Sequence, residues 1–290
     1  MNVYSHSFWA MNTRFIMVLP SIDNTRGAEL ALGTERIVET WEHCLSRFRN
    51  TSELSHINAK AFNSDTRVSN QMEQALKACA QYVNQTQGLF DPAFSPVYDL
   101  MRTKTAAKNE LENLANKCGW QYINWNEQTK QIRYLTKEVQ LDFGGIGKGI
   151  ALKEVVSYLR NEGINSALLS FGESSIAGIG RHPHGSHWPI TQVSTSSIAD
   201  NQKVFELEDE NLSVSGLQMQ EAQMHQAHIY HPLKQQLMRK SGNTAVKSHC
   251  PIEAEVLSTA LYLANNKQTQ ILKKQFPDAL WHTQTGIQNN

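Results

Sequence analysis

The sequence has few cysteines and no excess of charge of either sign. Its four cysteines lie far apart and form no C-x-x-C pair, which argues against a local zinc site or a disulfide framework and suits a reducing compartment. Basic and acidic residues number 27 each, so no global field favours nucleic acid or an anionic membrane. We therefore expect no nucleic-acid partner.

Long apolar runs are also missing. The longest run near the start, residues 15–19, is too short for the apolar region of a signal peptide, and Arg14 precedes it. No lipobox-like cysteine appears there, and no stretch approaches the roughly 20 apolar residues of a membrane-spanning helix. These absences predict a cytoplasmic protein without a membrane anchor.

No internal repeat, low-complexity tract or linker marks a boundary in the chain. A hydrophobic content of 40% and a charged content of 19% are typical of a soluble globular protein. At 290 residues the chain can bury a large core. We expect one domain over residues 1–290, without a clean internal boundary.

Hydrophobic periodicity predicts both helices and strands along this chain. Helices are predicted over residues 26–49, around 54–57, over 71–85, within 100–112, from 152 to a stop at Gly163, and over 253–265 and 268–275. Strands are predicted within 3–19 and at 121–125, 132–134, 138–141, 167–171, 174–179, 188–193, 203–207, 212–214, 227–231 and 279–282. A turn over 88–92 leads into an extended segment, and the polar residues 234–250 break the pattern.

The most distinctive stretch is residues 140–150. Between the predicted strand and the helix that follows it lie four glycines together with Asp142 and Lys148. Such a turn lets backbone N–H groups and a helix N-terminus approach an anionic group, with Lys148 as a point charge. The stretch does not fit a Walker A loop, because Asp142 stands where the first glycine belongs and Gly149 follows the lysine. It does not fit the dinucleotide fingerprint either, because Ile150 replaces its last glycine. A tight turn that needs small residues only for packing is the alternative.

Residues 142–149, Asp-Phe-Gly-Gly-Ile-Gly-Lys-Gly, resemble the signature Asp-x-Gly-Gly-Ile-x-Lys-Gly of the ApbE-like FAD:protein FMN transferases. Other segments resemble motifs of the same family, in the same order and over nearly the whole chain. They are Met11–Thr13, Ser52–Asn58, Gly88–Pro92, Ser170–Ser174, Ser213–Gly216, His228–Pro232 and Ala254–Leu261.

The chain departs from the family pattern at several positions, and four of these departures bear on the activity. Glu173 and Ser174 replace Gly and Asp in a strand turn, and His231 stands where the family has an acid. Glu255 replaces an aspartate, which adds one methylene to the side chain. The resemblance implies an α+β fold, an ApbE-like (T-fold-related) α/β assembly with the flavin site between lobes.

The resemblance also implies an activity. It is the Mg²⁺-dependent transfer of FMN from FAD to a Ser or Thr hydroxyl of a partner flavoprotein, with release of AMP. One alternative is a flavin-binding protein that has lost the transferase chemistry, which the four departures would favour. Another is an FAD pyrophosphatase that releases FMN and AMP without an acceptor protein.

By the same resemblance, the carbonyl of Gly145 and the side chains of Glu255 and Thr259 hold Mg²⁺. Glu255 and Thr259 are four residues apart on one predicted helix, so their oxygen atoms share a face. Mg²⁺ prefers hard oxygen ligands and usually only one or two carboxylates. Without the resemblance, an exposed glutamate and a helix-interior threonine would be the simpler interpretation.

The resemblance gives roles to further residues. Lys148 and His228 are the catalytic candidates, because Lys148 can offset phosphate charge and histidine suits proton transfer near neutral pH. The candidate cofactor-binding residues are Met11, Phe48, Leu89, Phe90, Asp91, Asp142, Lys148 and Ile229. Plain core packing is the alternative for the apolar ones.

Overall fold

The structure is a computed structural model that describes residues 2–102, 107–192, 203–217, 229–238 and 242–285. Within these ranges the strands are β1 Val3–Ala10, β2 Thr13–Pro20, β3 Thr66–Arg67, β4 Ile123–Asn126, β5 Gln131–Tyr134, β6 Ser166–Phe171, β7 Ser175–Gly180, β8 Trp188–Gln192, β9 Lys203–Leu207, β10 Glu210–Leu217, β11 Tyr230–His231, β12 Gln236–Leu237, β13 Gly242–Ser248 and β14 Leu280–Thr285. The α-helices are α1 Asn24–Leu45, α2 Glu53–Lys60, α3 Asn70–Gln85, α4 Ser95–Arg102, α5 Lys108–Ala115, α6 Gly147–Asn161, α7 Pro251–Leu263 and α8 Asn266–Gln275.

The chain divides into two compact units, each built from separate segments. The first comprises Met1–Thr40, Lys148–Gln226 and Arg239–Asn290, and the second comprises Trp41–Gly147 and Ala227–Met238. The expectation of one domain over residues 1–290 stays a prediction. None of the described helices is both long and apolar enough to cross a membrane. The expected cytoplasmic location also stays a prediction.

The first unit is built on a seven-stranded sheet. Its strand order is β1-β2-β6-β7-β10-β13-β14, and all of its described strand pairs are antiparallel. Helix α7 packs on β7, β10 and β13. Its burial is nearly complete, because apolar residues occupy most of its surface instead of one stripe. This packing fixes α7 and its side chains against the middle of the sheet.

The second unit combines helices with a small sheet of order β3-β5-β4. An apolar cluster forms around the buried side chains of Val97, Ala115 and Cys118, with Phe94 and Tyr230 packed against it. The two rings lie 5.4 Å apart, within the range of favourable aromatic pairs. The α+β class predicted from the sequence is confirmed.

Local signals marked the start of α2 and the end of α6 correctly. Ser52 is the N-cap of α2, and its hydroxyl accepts the N–H of Ser55 at 3.0 Å. Gly163 ends α6 with φ +81°, as its position predicted. The N–H of Ile164 donates to the carbonyl of Leu159, which completes a Schellman motif.

The predicted strand at 138–141 is wrong. Among the described residues this segment pairs with no strand, and its backbone hydrogen bonds go to side chains instead. The Asn58 amide group binds both the N–H and the carbonyl of Leu141 at 2.9 Å, and the Ser95 hydroxyl donates to the carbonyl of Gln140. A side chain distant in sequence therefore does what a neighbouring strand would do, and no local pattern reveals that.

Three other element predictions need correction. The polar segment predicted to break the pattern at 234–250 contains β12 and the inner strand β13, whose two faces are both covered and therefore show no alternation. Helix α1 ends at Leu45, before the predicted end at Arg49. The extended segment predicted after Pro92 gives way to α4 at Ser95, with Pro96 in the first turn, where proline is tolerated.

Candidate active site

A partly buried ion pair joins α6 to α7 in the first unit. The ammonium of Lys148 lies 2.8 Å from Oε1 of Glu255, and the second carboxylate oxygen accepts the backbone N–H of Gly149. Glu255 is buried, with a side chain that is only 4% exposed, whereas 22% of the Lys148 side chain remains accessible. The carboxylate thus lies at the N-terminus of α6, where a negative charge is stabilised. The alternative of an exposed glutamate is excluded.

Gly149 allows the two helices to approach this closely. A Cβ at Gly149 would lie 2.8 Å from Cα of Ile252 and 2.8 Å from the carbonyl oxygen of Pro251, both backbone atoms of α7. Any larger residue would push the helices apart. The glycine in the signature therefore has a packing function as well as presenting an N–H group to Glu255.

A group of linked hydroxyls includes that of Thr259, one turn beyond Glu255. The hydroxyl of Ser215 on β10 lies 2.9 Å from Oγ1 of Thr259 and 2.7 Å from Oγ of Ser258. Ser258 also lies 3.1 Å from the hydroxyl of Ser213, and it donates to the backbone carbonyl of Glu255 at 2.9 Å. Ser213, Ser215 and Ser258 all lie in motifs that the sequence revealed, but the sequence gave none of the three a role.

The residues on this face of α7 fit Mg²⁺. Each oxygen of the Glu255 carboxylate accepts one hydrogen bond, which leaves acceptor capacity for a cation. Thr259 adds a second hard oxygen on the same face. Among the described residues, no three His, Cys, Asp or Glu side chains cluster as a metal site. One carboxylate and one hydroxyl, from Glu255 and Thr259, suit an ion such as Mg²⁺ that keeps waters and phosphates as further ligands.

In the second unit an arginine holds Asp142. The guanidinium of Arg47 makes two hydrogen bonds to the Asp99 carboxylate, at 2.6 and 2.9 Å, and its Nε lies 2.7 Å from Oδ2 of Asp142. The other oxygen of Asp142 accepts the N–H of Gly144 at 2.8 Å. Hydrogen bonding to Asp99 raises the pKa of Arg47 further above its usual value. Sequence reasoning missed Arg47, which no motif distinguishes.

Gly145 and Phe90 lie next to each other in the second unit. A Cβ at Gly145 would lie 3.6 Å from the Phe90 ring, so the glycine backbone packs on that ring. Leu89, Phe90 and Ile229 are all buried in this unit. Their predicted contact with flavin or adenosine stays a prediction, as does the Gly145 carbonyl as a metal ligand.

Asp91 binds the backbone through both of its carboxylate oxygens. One oxygen accepts the N–H of Ala93 at 2.9 Å and the other accepts the N–H of Trp120 at 2.9 Å. Burial outweighs these two bonds and raises the pKa of Asp91 to about 6. The carboxylate therefore fixes the turn at 88–92 that carries Phe90, and its predicted cofactor contact stays a prediction.

Met11 and Phe48 lie in unusual surroundings. Met11 and Asn12 both have positive φ, 49° and 61°, and form the two-residue turn between β1 and β2. A methionine in this conformation is strained, and such strain is common at ligand-binding positions. Phe48 is 76% exposed, and the Arg47 guanidinium lies 4.5 Å from its ring centroid. Both remain candidate flavin contacts.

Of the remaining residues that the sequence singled out, one lies outside the described part of the chain and three lie within it. His228 lies outside the described residues. His231 is fully buried in β11. Glu173 has φ +63° in the turn between β6 and β7, and the carbonyl of Ser174 accepts the N–H of Val214. All four departures lie among the described residues.

Comparisons with known proteins agree on one family. A profile of the ApbE family matches residues 11–281. The chain is similar to the FAD:protein FMN transferase of Chlamydia trachomatis, with 23% identity over 247 residues that cover 81% of this chain and 75% of that protein. It is similar to the FAD:protein FMN transferase of Escherichia coli, with 24% identity over 217 residues that cover 71% of this chain and 61% of that protein. The flavin transferase ApbE from Vibrio cholerae has the same fold, with a TM-score of 0.87 at 19% identity over 99% of this chain and 95% of that chain.

Proposed function

The chain belongs to the ApbE family, and on that basis we propose that it is an FAD:protein FMN transferase. It moves FMN from FAD to a Ser or Thr hydroxyl of a partner flavoprotein and releases AMP. The observation that carries this proposal is the charge arrangement at the start of α6, where Lys148 and the N–H of Gly149 converge on the buried carboxylate of Glu255. A transferase that handles a pyrophosphate needs a carboxylate for a metal and a cation for phosphate at one place.

Lys148 provides the positive charge for the pyrophosphate of FAD. Its side chain is partly accessible and is already oriented by Glu255, so little reorganisation is needed when an anion arrives. Negative charge builds up on the bridging oxygen as its bond to the FMN phosphorus breaks. A positioned ammonium stabilises that charge more in the transition state than in the ground state.

Glu255 and Thr259 would hold Mg²⁺, with waters and phosphate oxygens as its remaining ligands. The bound ion would neutralise phosphate charge and orient the pyrophosphate. Lys148 and the ion would share the Glu255 carboxylate. Because Glu255 is buried and accepts the Gly149 N–H, its carboxylate is held in place and keeps the Lys148 ammonium beside it.

The acceptor hydroxyl must lose its proton as it attacks the FMN phosphorus. Its oxygen forms the new P–O bond, AMP leaves with the electrons of the old one, and a base takes the proton. His228 is our candidate for that base, because a neutral imidazole accepts a proton near neutral pH. Water in place of the hydroxyl would make the same site an FAD pyrophosphatase.

The experiment combines purified protein, FAD, Mg²⁺ and a flavoprotein that an active ApbE relative modifies. We expect AMP in solution and in-gel flavin fluorescence on the acceptor. AMP without a fluorescent acceptor would identify a pyrophosphatase, and FAD binding without either product would identify a flavin-binding protein. Absence of FAD binding below millimolar concentration, with metal present, would overturn the proposal. Glu255→Ala is the control, and it should abolish AMP release while FAD binding persists in weakened form.

A further inference from the structure

The hydroxyls next to Thr259 can be assigned donor and acceptor roles by counting hydrogens. Each Ser or Thr hydroxyl has one hydrogen to donate, and a backbone carbonyl can only accept. The contact of 2.9 Å between Ser258 and the carbonyl of Glu255 therefore uses the Ser258 hydrogen. Consequently Ser215 must donate to Ser258 across their contact of 2.7 Å. Thr259 must then donate to Ser215 across the contact of 2.9 Å.

In this order the Thr259 hydroxyl donates its hydrogen to Ser215, so the bond between them does not use the lone pairs of the Thr259 oxygen. Those lone pairs stay available to bind a cation. Ser258 is fully buried, so water does not compete for its hydrogen. The carbonyl of Glu255 thus sets the direction of the whole chain, from the backbone of one proposed metal ligand to the side chain of the other.

We propose that Ser215 and Ser258 are positioning residues that keep the Thr259 hydroxyl turned so that its lone pairs face a divalent cation. This inference rests on the proposed function, because it takes Thr259 as a metal ligand. A cation on the Thr259 oxygen polarises its O–H bond, which strengthens donation to Ser215. Metal binding and the hydroxyl order therefore support each other.

Ser213 offers a matched control. Its hydroxyl lies 3.1 Å from Ser258 and 3.2 Å from the carbonyl of Ser174, so it contacts the same group. It plays no part in the order from Glu255 to Thr259, because Ser258 donates to Glu255 whether or not Ser213 is present. Both Ser213 and Ser258 are buried serines. Replacing either by alanine removes one buried hydroxyl, so their costs in stability should be similar.

The test measures Mn²⁺ affinity by electron paramagnetic resonance of the free ion, because Mn²⁺ prefers the same oxygen ligands as Mg²⁺. The variants are Ser258→Ala, Ser215→Ala, Ser213→Ala and Thr259→Val. In Ser258→Ala, the Ser215 hydroxyl has no acceptor for its hydrogen when it accepts the bond from Thr259. Mn²⁺ binding should therefore weaken about fivefold, which is the change in affinity that corresponds to the loss of one neutral hydrogen bond. Ser215→Ala should weaken it at least as much, and Ser213→Ala should not change it.

Four outcomes decide the inference. Weakening by Ser258→Ala and Ser215→Ala with none by Ser213→Ala supports it. Equal weakening by all three serine variants would reduce the hydroxyls to packing and overturn it. Unchanged affinity in the serine variants, with loss in Thr259→Val, would overturn it but leave the metal site standing. Unchanged affinity in Thr259→Val would overturn it together with the proposed metal ligand. Thermal unfolding of each variant confirms folding, and Ser215→Ala remains informative if Ser258→Ala does not fold.

Discussion

The ammonium of Lys148 lies 2.8 Å from a carboxylate oxygen of Glu255, although 107 positions separate the two residues in the sequence. The second oxygen of Glu255 accepts the N–H of Gly149. Both contacts depend on the length of the glutamate side chain. An aspartate on the same backbone would place its carboxylate about 1.5 Å further back, the length of one C–C bond.

Glu255→Asp should lower FMN transfer about a hundredfold, because an error near 1 Å in the position of a catalytic group has that effect. The measurement is in-gel flavin fluorescence of the acceptor together with AMP release. Glu253→Asp is the matched control, because Glu253 lies on the same helix and accepts a hydrogen bond from Ser248 at 2.6 Å. Transfer by Glu255→Asp at or above the wild-type rate would contradict the idea that the site has adapted to glutamate.

Arg47→Lys should weaken FAD binding about tenfold, because lysine cannot bind Asp99 through two parallel hydrogen bonds and also reach Asp142. Asp142 would then lose its fixed orientation. Fluorescence titration of FAD measures the change. Arg49→Lys serves as the control, because the Arg49 side chain is 44% exposed, against 13% for Arg47, and its single ion pair with Glu42 contributes little. Equal FAD affinity in both variants would show that FAD binding does not depend on the contact between Arg47 and Asp142.

Gly149→Ala should destabilise the protein by about 2 kcal/mol, because the added methyl group meets the backbone of α7 and overpacks the contact. Gly147→Ala should be neutral or stabilising. A Cβ there would meet only the side chains of Leu45 and Phe143, at 3.5 and 3.9 Å, and alanine favours a helix. Urea unfolding of both variants gives the comparison. A similar loss in both would mean that flexibility of the turn matters more than the approach of α7.

Glu173→Gly should stabilise the protein by about 0.5–1 kcal/mol. Glu173 has φ +63°, a conformation that is strained for a residue with a Cβ and free for glycine, and the gain exceeds the entropy that glycine adds to the unfolded chain. Glu173→Ala keeps the strain and should bring no such gain. Chemical denaturation gives the free energy of unfolding of both variants. An equal gain in both would mean that loss of the Glu173 carboxylate, and not relief of backbone strain, stabilises the protein.

Asp91 should make stability depend on pH. Its pKa is raised from 3.8 to about 6 in the folded protein, so the folded state binds the proton more tightly than the unfolded state between these values. Stability contributed by the protonated carboxyl is therefore lost as pH rises from about 4 to about 6, and it changes little above that range. Asp91→Asn should remove this slope, even if its lost hydrogen bond lowers stability at every pH. Free energies of unfolding measured between pH 4 and 7 test this, and a slope that persists in Asp91→Asn would contradict it.

Local signals in the sequence determined much of this protein. The spacing of apolar residues gave most helices and strands, since these elements have their own periods. Ser52 and Gly163 marked helix ends because capping depends on a few neighbouring residues. The string from Asp142 to Gly149, together with seven further motifs in the same order along the chain, indicated the family. The motif Ala254–Leu261 and the spacing of four residues predicted that Glu255 and Thr259 share one face of a helix.

Tertiary structure alone decided which groups meet. The hydrogen bonds of Asn58 to Leu141 replace a predicted strand, and they join residues 83 positions apart. Arg47 contacts Asp142, and Ser215 contacts Thr259, only because the fold brings distant segments together. The spacing of residues along the sequence does not predict these contacts. The burial of Glu255 was equally hidden, because a glutamate on a helix is usually exposed until a partner such as Lys148 is brought to it. A sequence carries the side chains that can interact, but the pairing of a charge or hydroxyl with one distant partner is settled only when the chain packs.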